Sequence, residues 1–369
     1  MWDNLELVKR YNRNPILLPK KENKWESKLV YNCAAFKLDK IIYLVYRAMG
    51  EEHISRFGLA YSKDGIIFER LSYPVFTPKT YYEKPHSTTL ELEREKGGVE
   101  DPRAIIIGEY IYLTYTAFHK ACHIALARMR IVDFKKIIEK SICNNMDFTD
   151  EWNNLWQREG LIFPEMFNDR DTFSRNSVLM PLGEELFLLF YRINKGDILV
   201  SLSNKPEGSW KESGIQLFTR KFNWEQERIG ISTPPIQIID NKKQKALLFY
   251  HGVKENSANG KIMKIYSLGA FFMSSEIKHN KLLLKIERII KPVLSPLKEY
   301  EINNKWLLSV NVHAVFSCGA VPAGEKEVFI YYGAGDSNIN LAKLNVDDLL
   351  TEEALEEYRE IDLRLFGIK

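Results

Sequence analysis

Gly98-Val99-Glu100-Asp101-Pro102-Arg103 leads directly into Ala104-Ile105-Ile106-Ile107-Gly108-Glu109-Tyr110-Ile111-Tyr112-Leu113-Thr114-Tyr115. Two runs rich in β-branched and aromatic residues flank a Gly-Glu turn, which predicts a strand hairpin. The acidic pair stands at the entry to the first strand. There a sheet can hold a carboxylate rigidly while a ligand still reaches it.

The second run of this hairpin recurs along the chain. Ile41–Ala48, Tyr110–Ala117, Leu186–Ile193, Lys245–Gly252 and Glu327–Ala334 are aromatic-rich segments of one pattern, each preceded by a shorter apolar run and a turn. Most are followed by a third strand of small residues, as at 57–62, 123–127, 197–201, 266–270 and 339–342. An all-strand repeat predicts radial repetition, so the expected fold is all-β: one five-bladed β-propeller filling residues 1–369. A β-sandwich with aromatic strands is the plainer alternative. Recurrence at the position after the tyrosine favours the propeller: Arg47, Thr116, Arg192, His251 and Gly333 would converge on the axis and bring two arginines and a histidine into one cationic pocket.

The chain has 369 residues, 45% hydrophobic and 27% charged, enough for a large core, and no linker or low-complexity tract divides it. A formal net charge of +3 without a basic stripe argues against a nucleic-acid partner. The start Met1-Trp2-Asp3-Asn4 lacks a signal-peptide pattern and no apolar run suits a membrane helix, so a cytoplasmic protein is expected. Cys33, Cys122, Cys143 and Cys318 have no metal-type spacing and are expected as free buried thiols. The tail from Thr351 opens like a capping box and predicts a C-terminal helix over 351–365, closing the last blade or forming a homo-oligomer contact.

An axial carboxylate suits glycoside cleavage, in which an acid protonates the leaving oxygen while a nucleophile attacks the other face of the sugar. An inverting hydrolase would place a second carboxylate on that face. The candidates here are instead Arg175, Arg192, Arg228 and His251, a set suited to an anion such as phosphate.

The ordered motifs give the chain a specific resemblance. Asn14-Pro15-Ile16-Leu17, Asn32, Tyr46-Arg47-Ala48, Leu59–Gly65, Gly98–Arg103, Arg228-Ile229-Gly230, Pro234-Pro235-Ile236, Tyr250–Val253, Tyr266–Ala270 and Tyr331–Asp336 span nearly all of it. In this order they resemble the inverting β-mannoside phosphorylases of glycoside hydrolase family 130, which are five-bladed propellers. The resemblance implies that Asp101 is the general acid, acting through the 3-hydroxyl of mannose. Asn32, Arg47, Arg56 and Asp336 would hold that mannose. Arg192 and His251 match phosphate-holding positions, Arg175 a basic position of the same pocket, and Arg228 a lysine position. For Asp101, Asn32 and Asp336 taken alone, capping of a strand or turn is the plainer role. The implied reaction splits a manno-oligosaccharide with inorganic phosphate as co-substrate, giving α-mannose 1-phosphate, and needs no metal or organic cofactor.

There are departures from the family pattern. Arg175-Asn176 stands where Lys-Asp is frequent, and His313 replaces an apolar residue. Glu225 and Glu227 flank the proposed anion site, the arrangement a hydrolytic relative would use, so an inverting β-mannosidase is the alternative enzyme. In an extended strand both glutamates would face away from Arg228. A non-catalytic glycan-binding propeller is a third reading, although it has no use for an acid facing cations. The loops 81–97 and 141–170 are expected to shape the leaving-sugar site.

Overall fold

The computed structural model describes residues 7–85, 96–169, 171–240, 243–258, 261–302 and 311–368. Within them the strands form five successive antiparallel groups. After β1 (Val8–Arg10), the first group is β2 (Leu29–Leu38), β3 (Ile41–Met49), β4 (Ile54–Ser62) and β5 (Glu69–Arg70). The second is β6 (Gly97–Ile107), β7 (Tyr110–Phe118) and β8 (Cys122–Arg130), completed beyond helices α1 (Ile131–Cys143) and α2 (Thr149–Leu155) by β9 (Gln157–Leu161). The third is β10 (Ser174–Pro181), β11 (Phe187–Ile193), β12 (Ile198–Ser203) and β13 (Gln216–Phe218).

In the fourth group β14 (Arg228–Ile231) and β15 (Ile236–Asp240) both pair with β16 (Lys243–Ala258), which continues to β17 (Lys261–Lys278) and β18 (Lys281–Ile289). Past α3 (Glu299–Ile302) come β19 (Asn311–Pro322), β20 (Glu327–Ala334) and β21 (Asn338–Asn345), then α4 (Val346–Leu350) and β22 (Ala354–Asp362). β1 pairs antiparallel with β21, so the fifth group takes its outer strand from the other end of the chain. Short parallel pairings join β4 to β6 and β17 to β19, β10 packs on β7, β8 and β14, and β2 packs on β19.

The tyrosine of each repeat is buried, and in four of the five groups it bonds a buried glutamate. Tyr46, Tyr115, Tyr250 and Tyr332 donate to Glu26, Glu83, Glu225 and Glu301 at 2.9, 2.5, 3.1 and 2.8 Å. Each glutamate is fully buried and also pairs with an arginine, Arg70, Arg158, Arg288 and Arg10 respectively. Buried carboxylates are tolerated only with such partners. In the third group the tyrosine turns instead to Glu212 and Ser213. Because successive strand residues alternate faces, locking the tyrosine on one face sends the next residue to the other.

The expected helix over 351–365 is overturned. Thr351 ends α4, and 354–362 is β22, paired with β18 along its whole length from Ile289↔Ala354 to Lys281↔Asp362. Glu357 and Ile361 turn inward while Glu356, Tyr358 and Glu360 face solvent, a period of two. Lys285 and Lys281 pair across the strands with Glu356 and Glu360. Helix propensity is a weak preference, and pairing with the edge of β18 outweighs it.

The segment 141–170 is more regular than a loop, holding α2 and β9, with Arg170 outside the described residues; 86–95 of the other expected loop lie outside them too. All four cysteines are free thiols, although Cys143 is exposed rather than buried. Among the described residues no helix is long and apolar enough to cross a membrane.

Candidate active site

The first strands of the first three groups carry the same defect. The ladder slips between Tyr31 and Cys33, between Glu100 and Arg103, and between Arg175 and Val178. Asn32, Asp101 and Asn176 sit at these slips with φ of 45°, 48° and 58°. Asn and Asp tolerate this left-handed conformation best among residues with a side chain, and the bulge re-aims the side chains around it.

Asp101 is buried at this bulge. Its Oδ1 accepts from Asn32 Nδ2 at 2.9 Å and from Arg47 Nη1 at 3.0 Å. Arg103 donates to the Asp101 carbonyl at 2.7 Å and to the Ser232 carbonyl at 3.0 Å, tying the second group to the fourth. Burial pushes the Asp101 carboxyl up, but Arg47, Arg103, Arg175 and the Asn32 hydrogen bond together hold it below the usual carboxylate range. Arg47 also reaches Ser55 Oγ at 3.1 Å and lies over the Tyr31 ring.

The cations collect beside this acid. Arg175 and Arg192 are directly opposed on β10 and β11, a like-charge pairing that costs stability. Asn176 Oδ1 accepts from Arg192 at 3.2 and 3.3 Å. Burial, followed by Arg228 and Arg175, pushes the Arg192 guanidinium down to about 9, a strain that an anion placed among them would relieve. Its Nη1 is buried with no hydrogen-bond partner among the described residues. Arg228 Nη2 meets the Tyr266 hydroxyl.

His251 lies opposite Gly230, 3.4 Å from Ser232 Oγ, with its ring 4.6 Å from that of Phe316. Burial, then Arg192, Arg103 and Arg228, hold its pKa well below the ordinary value. Burial among these arginines disfavours the charged imidazole of His251 as long as no anion lies between them. Over the acid and cation clusters together, the guanidinium groups of Arg47, Arg103, Arg175, Arg192 and Arg228 stand against the carboxylates of Glu100, Asp101 and Glu227, a positive excess suited to a phosphate dianion.

The predicted residues do not all meet. Asn32, Arg47 and Asp101 form one cluster, and Arg175, Arg192, Arg228 and His251 form its neighbour. Asp336, with φ of 51°, occupies the β20–β21 turn, whose Ser337 carbonyl accepts from the Val30 N–H two residues from Asn32. Arg56 stands apart. It pairs with Glu52 and lines a depression of about 760 Å³ that also includes Pro74, Phe148 and Asp150.

The extended-strand expectation for the glutamates fails, because 223–225 is a 3-10 turn and β14 begins only at Arg228. Glu225 is turned away into the Tyr250 lock. Glu227 pairs with Lys195 at 2.9 Å and lies 3.5 Å from Arg228. His313 is on β19 opposite Ile265, in the parallel pairing with β17.

Asn176, Arg103, Glu100 and Cys122, whose Sγ is 2.6 Å from Arg175 Nη2, received no role from the sequence. The signal for Asn176 was present: Asn32 and Asp101 precede the repeat tyrosine by fourteen residues, and Asn176 by fifteen. Among the described residues no group of three or more His, Cys, Asp or Glu could hold a metal ion.

Comparison with known proteins gives consistent matches. The glycoside hydrolase family 130 model, described as beta-1,4-mannooligosaccharide phosphorylase, matches residues 6–353. A 1,2-beta-oligomannan phosphorylase of Thermoanaerobacter sp. (strain X514) is 30% identical over 349 residues, 93% of this chain and 98% of the relative. A beta-1,2-mannobiose phosphorylase of the same organism is 30% identical, covering 90% of this chain and 95% of the relative. The solved structure of the beta-1,2-mannobiose phosphorylase of Listeria innocua shares the fold with a TM-score of 0.64 at 18% identity, covering 93% and 98% of the two chains.

Proposed function

Because the chain belongs to glycoside hydrolase family 130, we propose that it is an inverting β-mannoside phosphorylase, with β-1,2-linked manno-oligosaccharides as its first candidate substrates. One observation carries this reading. The buried acid Asp101 has Arg175 beside it, Arg192 adjoins both Arg175 and Arg228, and Glu227, the carboxylate next to Arg228, is engaged by Lys195. Arginine binds phosphate oxygens in pairs, and buried guanidinium groups gain most from an arriving anion. The linkage follows the names of the two relatives, which act on β-1,2 bonds.

In this mechanism Asn32, Arg47 and Asp336 hold the mannose, with Arg56 at the rim. Inorganic phosphate, held by Arg175, Arg192, Arg228 and His251, attacks C1 from the face opposite Asp101. The bond from C1 to the leaving oxygen breaks as that oxygen takes a proton from the mannose 3-hydroxyl, which Asp101 resupplies. The products are α-mannose 1-phosphate and a glycan one sugar shorter. The reading of the fold as a closed five-bladed propeller is supported by the five antiparallel groups, the β1–β21 pairing and the packing of β2 on β19.

Incubation with β-1,2- and β-1,4-mannobiose, with and without phosphate, tests the proposal. Release of α-mannose 1-phosphate only when phosphate is present supports it; free mannose released at an equal rate without phosphate refutes it. Glu227, beside Arg228, is the observation that keeps hydrolysis as a second reading.

A further inference from the structure

Glu100 has no part in the chemistry described above, yet it is completely buried between the two halves of the site. Its Oε1 lies 3.0 Å from Arg47 Nη2, and its Oε2 lies 3.3 Å from Arg175 Nη2. Arg47 is the residue whose Nη1 bonds Asp101, and Arg175 belongs to the cation cluster. The slip in the ladder after Glu100 lets two consecutive side chains, Glu100 and Asp101, both reach this cluster, where a regular strand would send them to opposite faces.

We infer that Glu100 is a positioning residue: a single buried carboxylate that fixes Arg47 beside the acid with one oxygen and aims Arg175 at phosphate with the other. The inference rests on the phosphorolytic reading. A buried carboxylate close to an anion site repels the anion, so its presence there is explained by what it orients. Its two arginines are not held equally. Arg47 is further fixed by Asp101, Ser55 and the Tyr31 ring, whereas the Arg175 side chain is 31% exposed and leans on Cys122.

Replacement by glutamine discriminates between the two, because an amide offers one acceptor oxygen and one donor nitrogen and so satisfies only one guanidinium. In Glu100→Gln the oxygen should stay with the closer and better-fixed Arg47, leaving the amide nitrogen against Arg175, which is then released. The expected result is a KM for inorganic phosphate raised roughly 10-fold or more, with KM for the mannoside changed by less than about 3-fold, as for loss of a charge-assisted contact.

A double-mutant cycle with Arg175→Ala shows whether the effect passes through that arginine. Glu100→Gln should add little to the phosphate KM once Arg175 is absent. An unchanged phosphate KM in Glu100→Gln, a fall in kcat alone, or the same increment in both backgrounds overturns the assignment. If Glu100→Gln does not fold, Glu100→Asp, one methylene too short to span both arginines, is put through the same cycle. If Arg175→Ala is too slow to assay, calorimetric titration with inorganic phosphate gives the same comparison. A wild-type enzyme that cleaves mannobiose without phosphate would instead refute the underlying function, so the two failures are distinguishable.

Discussion

Gly333 and Asn32 fit together with no room for a side chain between them: a Cβ on residue 333 would stand 2.2 Å from Asn32 Oδ1. Gly333 occupies the position after the repeat tyrosine that holds arginine in the first and third groups, so the fifth group contributes space where they contribute charge. That space lets Asn32 keep its bond to Asp101.

Gly333→Ala should therefore push Asn32 off Asp101. Loss of one hydrogen bond to a charged group costs about 1.5–3 kcal/mol, which predicts a fall in kcat/KM of roughly 10- to 100-fold. Steady-state assays alongside a melting curve check this. Near-normal activity in the folded variant would show that Asn32 does not act through this contact.

Asp101→Asn keeps the shape of the side chain and removes the transferable proton, so turnover should drop roughly 10²–10⁴-fold with the fold intact. The wild-type pH profile carries a matching signature. Arg47 and its neighbours lower the carboxyl of Asp101, so the free enzyme holds the carboxylate at neutral pH. Synthesis from α-mannose 1-phosphate needs that base form and should persist toward acid until pH falls through the lowered pKa. Phosphorolysis needs the protonated form, so its optimum should lie on the acid side of the synthetic one. Rate profiles in both directions, run on one enzyme preparation, make the comparison; coincident optima would remove Asp101 from the proton path.

Much of the candidate site is legible in the sequence. The position after each tyrosine is readable because a strand alternates faces and a repeat multiplies one instance into five, which singles out Arg47, Arg192 and His251 as candidates. What the sequence hid were effects of local geometry. Positive φ at Asn32, Asp101 and Asn176 breaks the alternation that sequence reasoning assumes. The 3-10 turn at 223–225 defeated the same assumption for Glu225. The tail from Thr351 reads as a helix because it opens like a capping box, but the open edge of β18, remote in sequence, decides the conformation of 354–362. The downward pull on the His251 pKa comes from burial and from arginines on three other strands.

Arg192→Ala should raise the KM for phosphate at least roughly 10-fold while mannoside affinity changes little, because a buried charge-assisted donor is lost from the anion side alone. His251→Ala should have a smaller effect, since burial and the surrounding arginines disfavour a charged imidazole, which then offers a hydrogen bond without a charge. Initial rates over a phosphate series at saturating mannoside measure both. Equal penalties for the two variants would mean that His251 becomes charged when phosphate binds.

Glu227 decides between phosphorolysis and hydrolysis. A hydrolase of this geometry would need a carboxylate to activate water on the cation side of the sugar, and Glu227 is the acidic group beside Arg228. Its carboxyl is held below the ordinary range chiefly by the Lys195 hydrogen bond, so it is ionised at neutral pH in either case. The difference lies in what its removal does. In a phosphorylase, Glu227→Gln takes away a negative charge close to the anion site and two cations lose a competing partner. Phosphate-dependent cleavage should then continue, with a phosphate KM equal to or below that of the wild type. In a mannosidase the same substitution removes the base, and cleavage should collapse roughly 10²–10⁴-fold whether or not phosphate is present. Measuring both products, free mannose and mannose 1-phosphate, for wild type and Glu227→Gln separates the two outcomes, and we expect mannose 1-phosphate from both enzymes.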